Sequence, residues 1–467
     1  MSTPTALDLG PRTITCFKAY DVRGKLGSEL DEDIAYRIGR AFAQARGAKS
    51  VVVGRDSRES SPVLAAALTR GLTEGGADVL DLGLAGTEEV YFATPHYDAD
   101  GGIEVTASHN PIDYNGMKMV AAGSAPLDPA SDLPPIVALA QSGSFAAPAR
   151  VGEVRAIPES RTAYAKAVVD FIDVSVLKPM KILVNAGNGT AGPTFDAIAA
   201  ELEARGAPLT FIRINHEVDS SFPNGIPNPL LDENQAMTAD PVRANRADLG
   251  IAWDGDFDRC FFFDGAGRFI PGEYIVGLLG AAFLEKSPGE KIVHDPRVIM
   301  NTRAMIEEAG GVAVVSKTGH AFLKRKMRDE GAIYGGEMSA HHYFRDFHYA
   351  DSGMIPWLLV VELLSRKGKT LAEMLDERMR AYPSSGEANF RIADPDAAIA
   401  RVVDHFASQK PRRDDLDGVS LDFGDWRFNI RKSNTEPVVR LNVEGKGDAA
   451  AVAAHRDEIA ALLTAAG

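Results

Sequence analysis

Apolar positions along this chain recur with two different periods, and the two periods alternate. Short β-branched runs at 50–53, 77–80 and 103–105 read as strands. Between them, residues 33–46 and 62–74 carry apolar side chains at helical spacing, with Asp31 and Ser61 placed as N-caps. The alternation restarts at 181–184, with a Gly-rich turn, a helix reaching Arg205, and strands at 209–214 and 249–253. A third round runs through 291–294, a helix to Ala309, 312–315, another helix and 332–334. Such alternation predicts mostly parallel sheets covered by helices.

The last hundred residues follow another pattern. Strands at 388–391, 419–423, 426–430 and 438–443 are separated by turns and helices, which predicts an α+β domain with an antiparallel sheet. Breaks fall near 366–369, after the Pro- and Ser-rich stretch 131–149, and near the Asp254 loop. Four domains are expected on this reading: 1–152, 153–254, 255–368 and 369–467. A chain of 467 residues is too long for one core, which agrees.

Composition narrows the function. With 45% apolar and 25% charged residues the chain has the make-up of an ordinary soluble protein. A net charge of −15 argues against nucleic-acid or anionic-membrane partners, which need a cationic face. It leaves room for a small anion where positive charge gathers locally. Two cysteines, Cys16 and Cys260, are too few for a disulfide framework. There is no basic-plus-apolar leader pattern and no run of about 18 apolar residues, so the expected location is the cytoplasm.

Four segments carry chemistry. Thr106-Ala107-Ser108-His109-Asn110-Pro111 sets a serine on a turn after the apolar run 102–105, a placement suited to nucleophilic chemistry. Asp254-Gly255-Asp256-Phe257-Asp258 places three carboxylates at alternate positions after a strand. Crowded carboxylates repel, and all-oxygen ligands on a short loop favour Mg²⁺. The glycine and glutamate spacing of an EF-hand loop is absent.

The third segment, Gly335-Gly336-Glu337-Met338-Ser339-Ala340-His341-His342, spaces Glu337, Ser339 and His341 two apart. In an extended loop they would face one way, as a reader of sugar hydroxyls requires. Its paired histidines raise zinc, but no further ligand set supports that metal. The fourth segment, Arg431-Lys432-Ser433-Asn434-Thr435-Glu436-Pro437, lies between Arg427 and Arg440. Residues 427–440 hold four cations and one anion, enough local charge and donor capacity to hold a phosphate. Lys118, after the Asn115-Gly116 turn, is set by strand alternation either in solvent or toward the serine. His320 follows the strand 312–315, at the end where a parallel sheet presents its ligands.

In this order and spacing, the four segments resemble the α-D-phosphohexomutase superfamily, most closely its bacterial phosphomannomutase/phosphoglucomutase branch. The resemblance covers Tyr20 to Arg440. It implies four domains around a central cleft: three related α/β mixed-sheet repeats and a C-terminal α+β domain. Ser108 resembles the family's phosphorylated serine. Asp254, Asp256 and Asp258 resemble its Mg²⁺ ligands, with a phosphoserine oxygen completing the set. Glu337 and Ser339 resemble its sugar-hydroxyl readers, and Arg431, Ser433, Asn434 and Thr435 its phosphate site. Tyr20, Arg23, His109, Lys118, Arg259, His320 and His341 fall on further cleft positions. Arg23, His109, Lys118 and His320 are expected to serve transfer, the last three as rival proton-transfer groups. Arg297 stands where some relatives carry a substrate-contacting lysine, so the charge is kept and the geometry is not.

The implied activity is reversible transfer between O1 and O6 of mannose or glucose phosphates through a hexose 1,6-bisphosphate, by a monomer or weak dimer. The GEMSAHH loop, where phosphoglucosamine mutases carry GEQSGH, favours an unmodified hexose. Phosphoglucosamine mutase, a metal-dependent sugar phosphatase and a non-catalytic sugar-phosphate sensor are the rival readings.

Overall fold

The computed structural model describes residues 6–432 and 438–465. The chain divides into two compact units, one of Met1–Phe269 with Asp346–Arg366, the other of Ile270–Arg345 with Lys367–Gly467. Among the described residues, no helix is long and apolar enough to cross a membrane.

The first unit holds two large sheets, besides the short pairing of Leu7–Asp8 with Ser144–Phe145. One orders Val22–Lys25, Tyr114–Ala121, Gly101–Val105, Ser50–Arg55, Asp78–Leu84 and Val154–Ala156. Its last four strands run parallel, whereas Tyr114–Ala121 is antiparallel to both of its neighbours. The other places Met180–Asn185 between Leu209–Ile214 and Leu249–Trp253, all parallel, and turns back antiparallel through Cys260–Asp264. The sheets are thus mixed, because short hairpins return the chain directly after Val105 and after Trp253.

Local sequence explains the covering helices. Glu32–Arg46 starts at Asp31, whose side chain accepts from Ile34 N, and ends on Gly47 at φ 62°. Ser61 does not cap the next helix as expected. It is the first residue of Ser61–Glu74, and its hydroxyl donates to Asp56 Oδ1 at 2.5 Å. The two helices cross at Gly39 and Gly71, where an added Cβ would lie 2.3 Å from Leu68 O and 2.2 Å from Tyr36 O. The segment Asp346–Arg366 completes this unit. Glu88 accepts from Gly353 N and Met354 N, at the start of the helix Met354–Lys367, and Gly353 O accepts from Trp253 Nε1.

In the second unit, Val312–Val315, Lys291–His294 and Tyr334–Gly336 run parallel, and His342–Phe344 returns antiparallel. The C-terminal sheet, ordered Ser384–Phe390, Val439–Gly445, Trp426–Lys432, Val419–Asp422 and Arg412–Asp414, is antiparallel throughout. Glu444 ties the two sheets together. It accepts from Ile299 N and Met300 N at a helix start and pairs with Arg427, whose guanidinium also donates to Pro296 O and Arg297 O.

Buried His294 in this unit gives a prediction. Its Nδ1 lies 2.7 Å from Asp295 O and so carries the proton, while burial pushes the ring down to about 4. The unfolded chain therefore takes up this proton first as pH falls. The stabilisation from a neutral His294 is intact above about 6.5 and is lost on the way to 4. Relative to His294→Asn, the wild type should lose about 3 kcal/mol between pH 7 and 4. Paired urea titrations check this, and a pH-independent difference rules it out.

Candidate active site

Two groups of residues, one in each unit, collect the segments singled out by the sequence. In the first unit, Ser108 is the third residue past a hairpin strand that is buried along its whole length. Its φ of 48° is the left-handed region, unusual for a residue with a Cβ. Neighbouring groups hold it there: Thr106 Oγ1 accepts from Ser108 N, and Ser108 O accepts from Arg58. The hydroxyl donates to Asp254 Oδ2 at 2.7 Å and lies 3.0 Å from His109 Nδ1. With the serine proton directed at Asp254, His109 Nδ1 is the donor to Ser108 Oγ, which leaves Nε2 as the basic nitrogen. Burial and the charges of Arg259 and Arg23 hold the His109 ring well below its ordinary value, hence neutral, though its side chain is only partly covered.

The acidic loop joins Leu249–Trp253 to Cys260–Asp264. Phe257 between the acids turns the other way, at φ 46°, and buries its ring against Gly86, where an added Cβ would fall 2.0 Å from the ring. Asp254, Asp256 and Asp258 are buried, with one oxygen from each within 4.8 Å of the others. Asp254 Oδ1 and Asp256 Oδ1 are buried and accept no hydrogen bond, whereas the second oxygen of each is engaged. Burial and the charges of Asp258 and Asp256 push Asp254 up to about 7. Converging oxygens without donors, in mutually repelling carboxylates, fit a small hard cation.

Lys118 is buried, neither in solvent nor on the serine. It bridges Asp256, at 2.7 Å, and Asp258. Burial would lower its pKa, but the two carboxylates outweigh that and raise it. A base at neutral pH needs the opposite shift, so Lys118 is a fixed positive charge. Thr87 steadies Asp256 from the other side, at 2.6 Å. Arg23, on the strand paired with the Lys118 strand, keeps a buried Nη1 that makes no hydrogen bond. Arg259 Nε lies 3.7 Å from Asp254 Oδ2, and Tyr20 is half-buried in the turn before Val22–Lys25.

In the second unit the sugar-loop segment is a tight turn, not the extended loop its spacing suggested. Glu337 N donates to His341 O, Ala340 N donates to Glu337 O, and Ala340 sits at φ 70°. Glu337 is buried, accepting from Gly319 N at 3.0 Å and Tyr343 OH at 2.6 Å. Burial would raise it, but His341 and Arg297 hold it below the usual carboxylate range. Arg297 donates to Ser339 Oγ at 3.2 Å and pairs closely with Asp295. His320 opens the helix His320–Glu330, its ring 6.5 Å from that of His341.

Three arginines surround Glu387. Arg440 is 3.1 Å away, Arg297 3.5 Å and Arg431 3.7 Å. Arg431 and Arg440 are direct cross-strand partners, an arrangement that costs stability when both are charged. Arg297 is also paired with Asp295, so Arg431 and Arg440 against Glu387 leave one positive charge for an anion. Ser433, Asn434 and Thr435 lie outside the described residues. Glu387, Thr87 and Arg58 were not singled out from the sequence. All three stand in ordinary polar stretches whose sequence carries no chemistry of its own.

Comparison with known proteins matches the chain in four successive stretches. The phosphoglucomutase/phosphomannomutase alpha/beta/alpha domains I, II and III match residues 15–146, 162–267 and 271–382. The C-terminal domain of the same proteins matches 387–462. The chain belongs to the phosphoglucomutase/phosphomannomutase family. Among the relatives of this family member, the phosphomannomutase of Salmonella montevideo is 57% identical over 452 residues, covering 96% of this chain and 99% of its own. Phosphohexose mutases of Xanthomonas campestris are 54% identical over 97% of this chain and 99% of theirs. The crystal structure of a phosphoglucomutase/phosphomannomutase family protein from Burkholderia thailandensis superposes with a TM-score of 0.84 at 32% identity, covering 97% of this chain and 98% of that one.

Proposed function

We propose that this mutase moves a phosphoryl group reversibly between O1 and O6 of mannose and glucose phosphates, with Ser108 as the carrier and a hexose 1,6-bisphosphate as the intermediate. The observation that carries the reading is the Ser108 hydroxyl bonded at 2.7 Å to one of three clustered aspartates. Full-length relatives named phosphomannomutase support mannose as a substrate.

The residues divide the work. Phosphorylated Ser108 donates to the free sugar hydroxyl: the Ser108 O–P bond breaks, a sugar O–P bond forms, and the hydroxyl proton leaves. The bisphosphate turns end for end, and its other phosphoryl group restores phosphoserine. Asp254, Asp256 and Asp258 would hold Mg²⁺ together with a phosphoserine oxygen, and the ion would offset charge on the phosphoryl oxygens. Lys118 and Arg23 add fixed positive charge nearby. Neutral His109 can take a proton at Nε2. Glu337 and Ser339 recognise sugar hydroxyls. Arg431 and Arg440, with Arg297 behind them, hold the phosphate that is not being transferred.

Coupled assays on mannose 1-phosphate and glucose 1-phosphate test the reading. The expected product is the 6-phosphate in stoichiometric yield, without free phosphate. Release of inorganic phosphate in place of the 6-phosphate would make the protein a phosphatase. Turnover confined to glucosamine 1-phosphate would move it to the amino-sugar branch.

A further inference from the structure

Arg58 is among the largest fully buried side chains in the described chain, and the transfer scheme gives it no task. It stands in the loop between Ser50–Arg55 and the helix Ser61–Glu74. Its guanidinium reaches across to the serine loop and donates to four of that loop's carbonyls. Nη2 donates to Ser108 O at 3.0 Å and to Asn110 O at 2.5 Å. Nη1 donates to Pro111 O at 2.8 Å and to Tyr114 O at 3.1 Å. Asp56 completes the grip. It lies 3.4 Å from Arg58 Nε, and its Oδ2 accepts from Ala107 N at 3.3 Å. The Arg58 fork holds the chain from Ser108 onward and Asp56 holds Ala107 before it, so the two together fix both sides of a residue held at φ 48°.

The second unit contains the same device. The strand Lys291–His294 and the helix Met300–Glu308 are separated by five residues, 295–299, just as 56–60 separate the earlier pair. Asp is first and Arg third in both loops: Asp56 and Arg58, Asp295 and Arg297. Each loop follows a strand paired in parallel with the strand that bears the functional loop. Asp295 Oδ2 accepts from Met338 N at 3.2 Å, and Met338, like Ala107, is the second residue past its strand. Arg297 then reaches Ser339, the position equivalent to Ser108. In the middle repeat the hold is a different one: Thr190, the fifth residue of its loop, donates through N–H and hydroxyl to the carbonyl of Gly255, the second residue past its strand. The Asp-x-Arg hold on the working loop thus occurs in two sheets, which sets it apart from the local packing of either domain.

We propose that Arg58 is a positioning residue for phosphoryl transfer, holding the Ser108 loop so that Oγ keeps its place beside the aspartates. The assignment rests on Ser108 being the carrier. Transfer depends steeply on alignment, and a displacement near 1 Å costs roughly 10²-fold in rate. Arg58→Met keeps the unbranched apolar stem but loses the guanidinium and every donor. Lysine keeps the charge and a donor without the fork.

The experiment measures kcat, KM and thermal unfolding for wild type, Arg58→Met and Arg58→Lys, with phosphoserine content read by intact mass. R58M is expected to fold and to lose roughly 10²-fold in kcat, with KM within about threefold of wild type. R58K is expected to recover part of the loss. A folded R58M with wild-type kcat would overturn the assignment. So would a loss confined to KM, which would make Arg58 a substrate contact. Failure of both variants to fold would make it a structural residue and overturn it equally. A wild-type protein that turns over without ever carrying phosphate on Ser108 would instead overturn the reading beneath it.

Discussion

Ser108→Ala should lose roughly 10³-fold or more of mutase activity while the protein stays folded. The variant removes the atom that accepts the phosphoryl group and little else. Ser108 is buried on a turn held by Thr106 and Arg58 through backbone atoms, and those contacts do not involve its hydroxyl. The lost hydrogen bond to Asp254 is worth about 1 kcal/mol, and it goes to a carboxylate crowded by its neighbours. Unfolding temperatures should therefore stay within a few degrees of each other. Intact-protein mass spectrometry should find one phosphoryl group on the wild type and none on the variant. Undiminished turnover in the variant would remove Ser108 from the reaction.

Chelation should abolish turnover, and Mg²⁺ should restore it. The more discriminating result concerns stability. Lys118 bridges only two of the three buried carboxylates, and burial and crowding together push Asp254 up, so the metal-free loop stores repulsion. A cation at about one hundred times its Kd should raise stability by about 2.7 kcal/mol. Asp254→Asn should reverse the pattern. Without metal it relieves crowding and should be at least as stable as the wild type, while the gain on adding Mg²⁺ should largely vanish. Thermal unfolding of both proteins, with and without Mg²⁺, reads the two signs at once. An equal Mg²⁺ response in both would place the ion elsewhere.

The sequence made some of this legible and hid the rest, for definable reasons. Functional loops could be found because each follows a continuous apolar run and breaks it with polar residues. Ser108, the three aspartates and Glu337 all follow that rule. The helix Glu32–Arg46 was readable because its cap is local, Asp31 to Ile34. Ser61 misled because its hydroxyl donates to Asp56, five residues earlier, instead of accepting from the helix's first turn. Lys118 was left between two environments because alternation gives a face and not what covers it. Asp256 and Asp258, some 140 residues away, supply the cover. Glu337, Ser339 and His341 looked extended because spacing alone cannot report the left-handed Ala340 that closes the turn. Arg58 and Glu387 work through partners brought near only by folding, so no window of sequence marks them.

The crossing of Asp346–Arg366 into the first unit has a consequence for synthesis on the ribosome. When residue 269 has been added, that unit still lacks the helix whose start is held by Glu88 and whose preceding carbonyl accepts from Trp253. At 5–20 residues per second, the missing segment is complete roughly 5–20 s later. In that interval Trp253 and Glu88 wait without their partners while most of the next domain is being made. Vectorial order therefore sets the sequence of completion: the half that carries the serine is whole only after the sugar-loop segment Ile270–Arg345 has been made, and before the last hundred residues have.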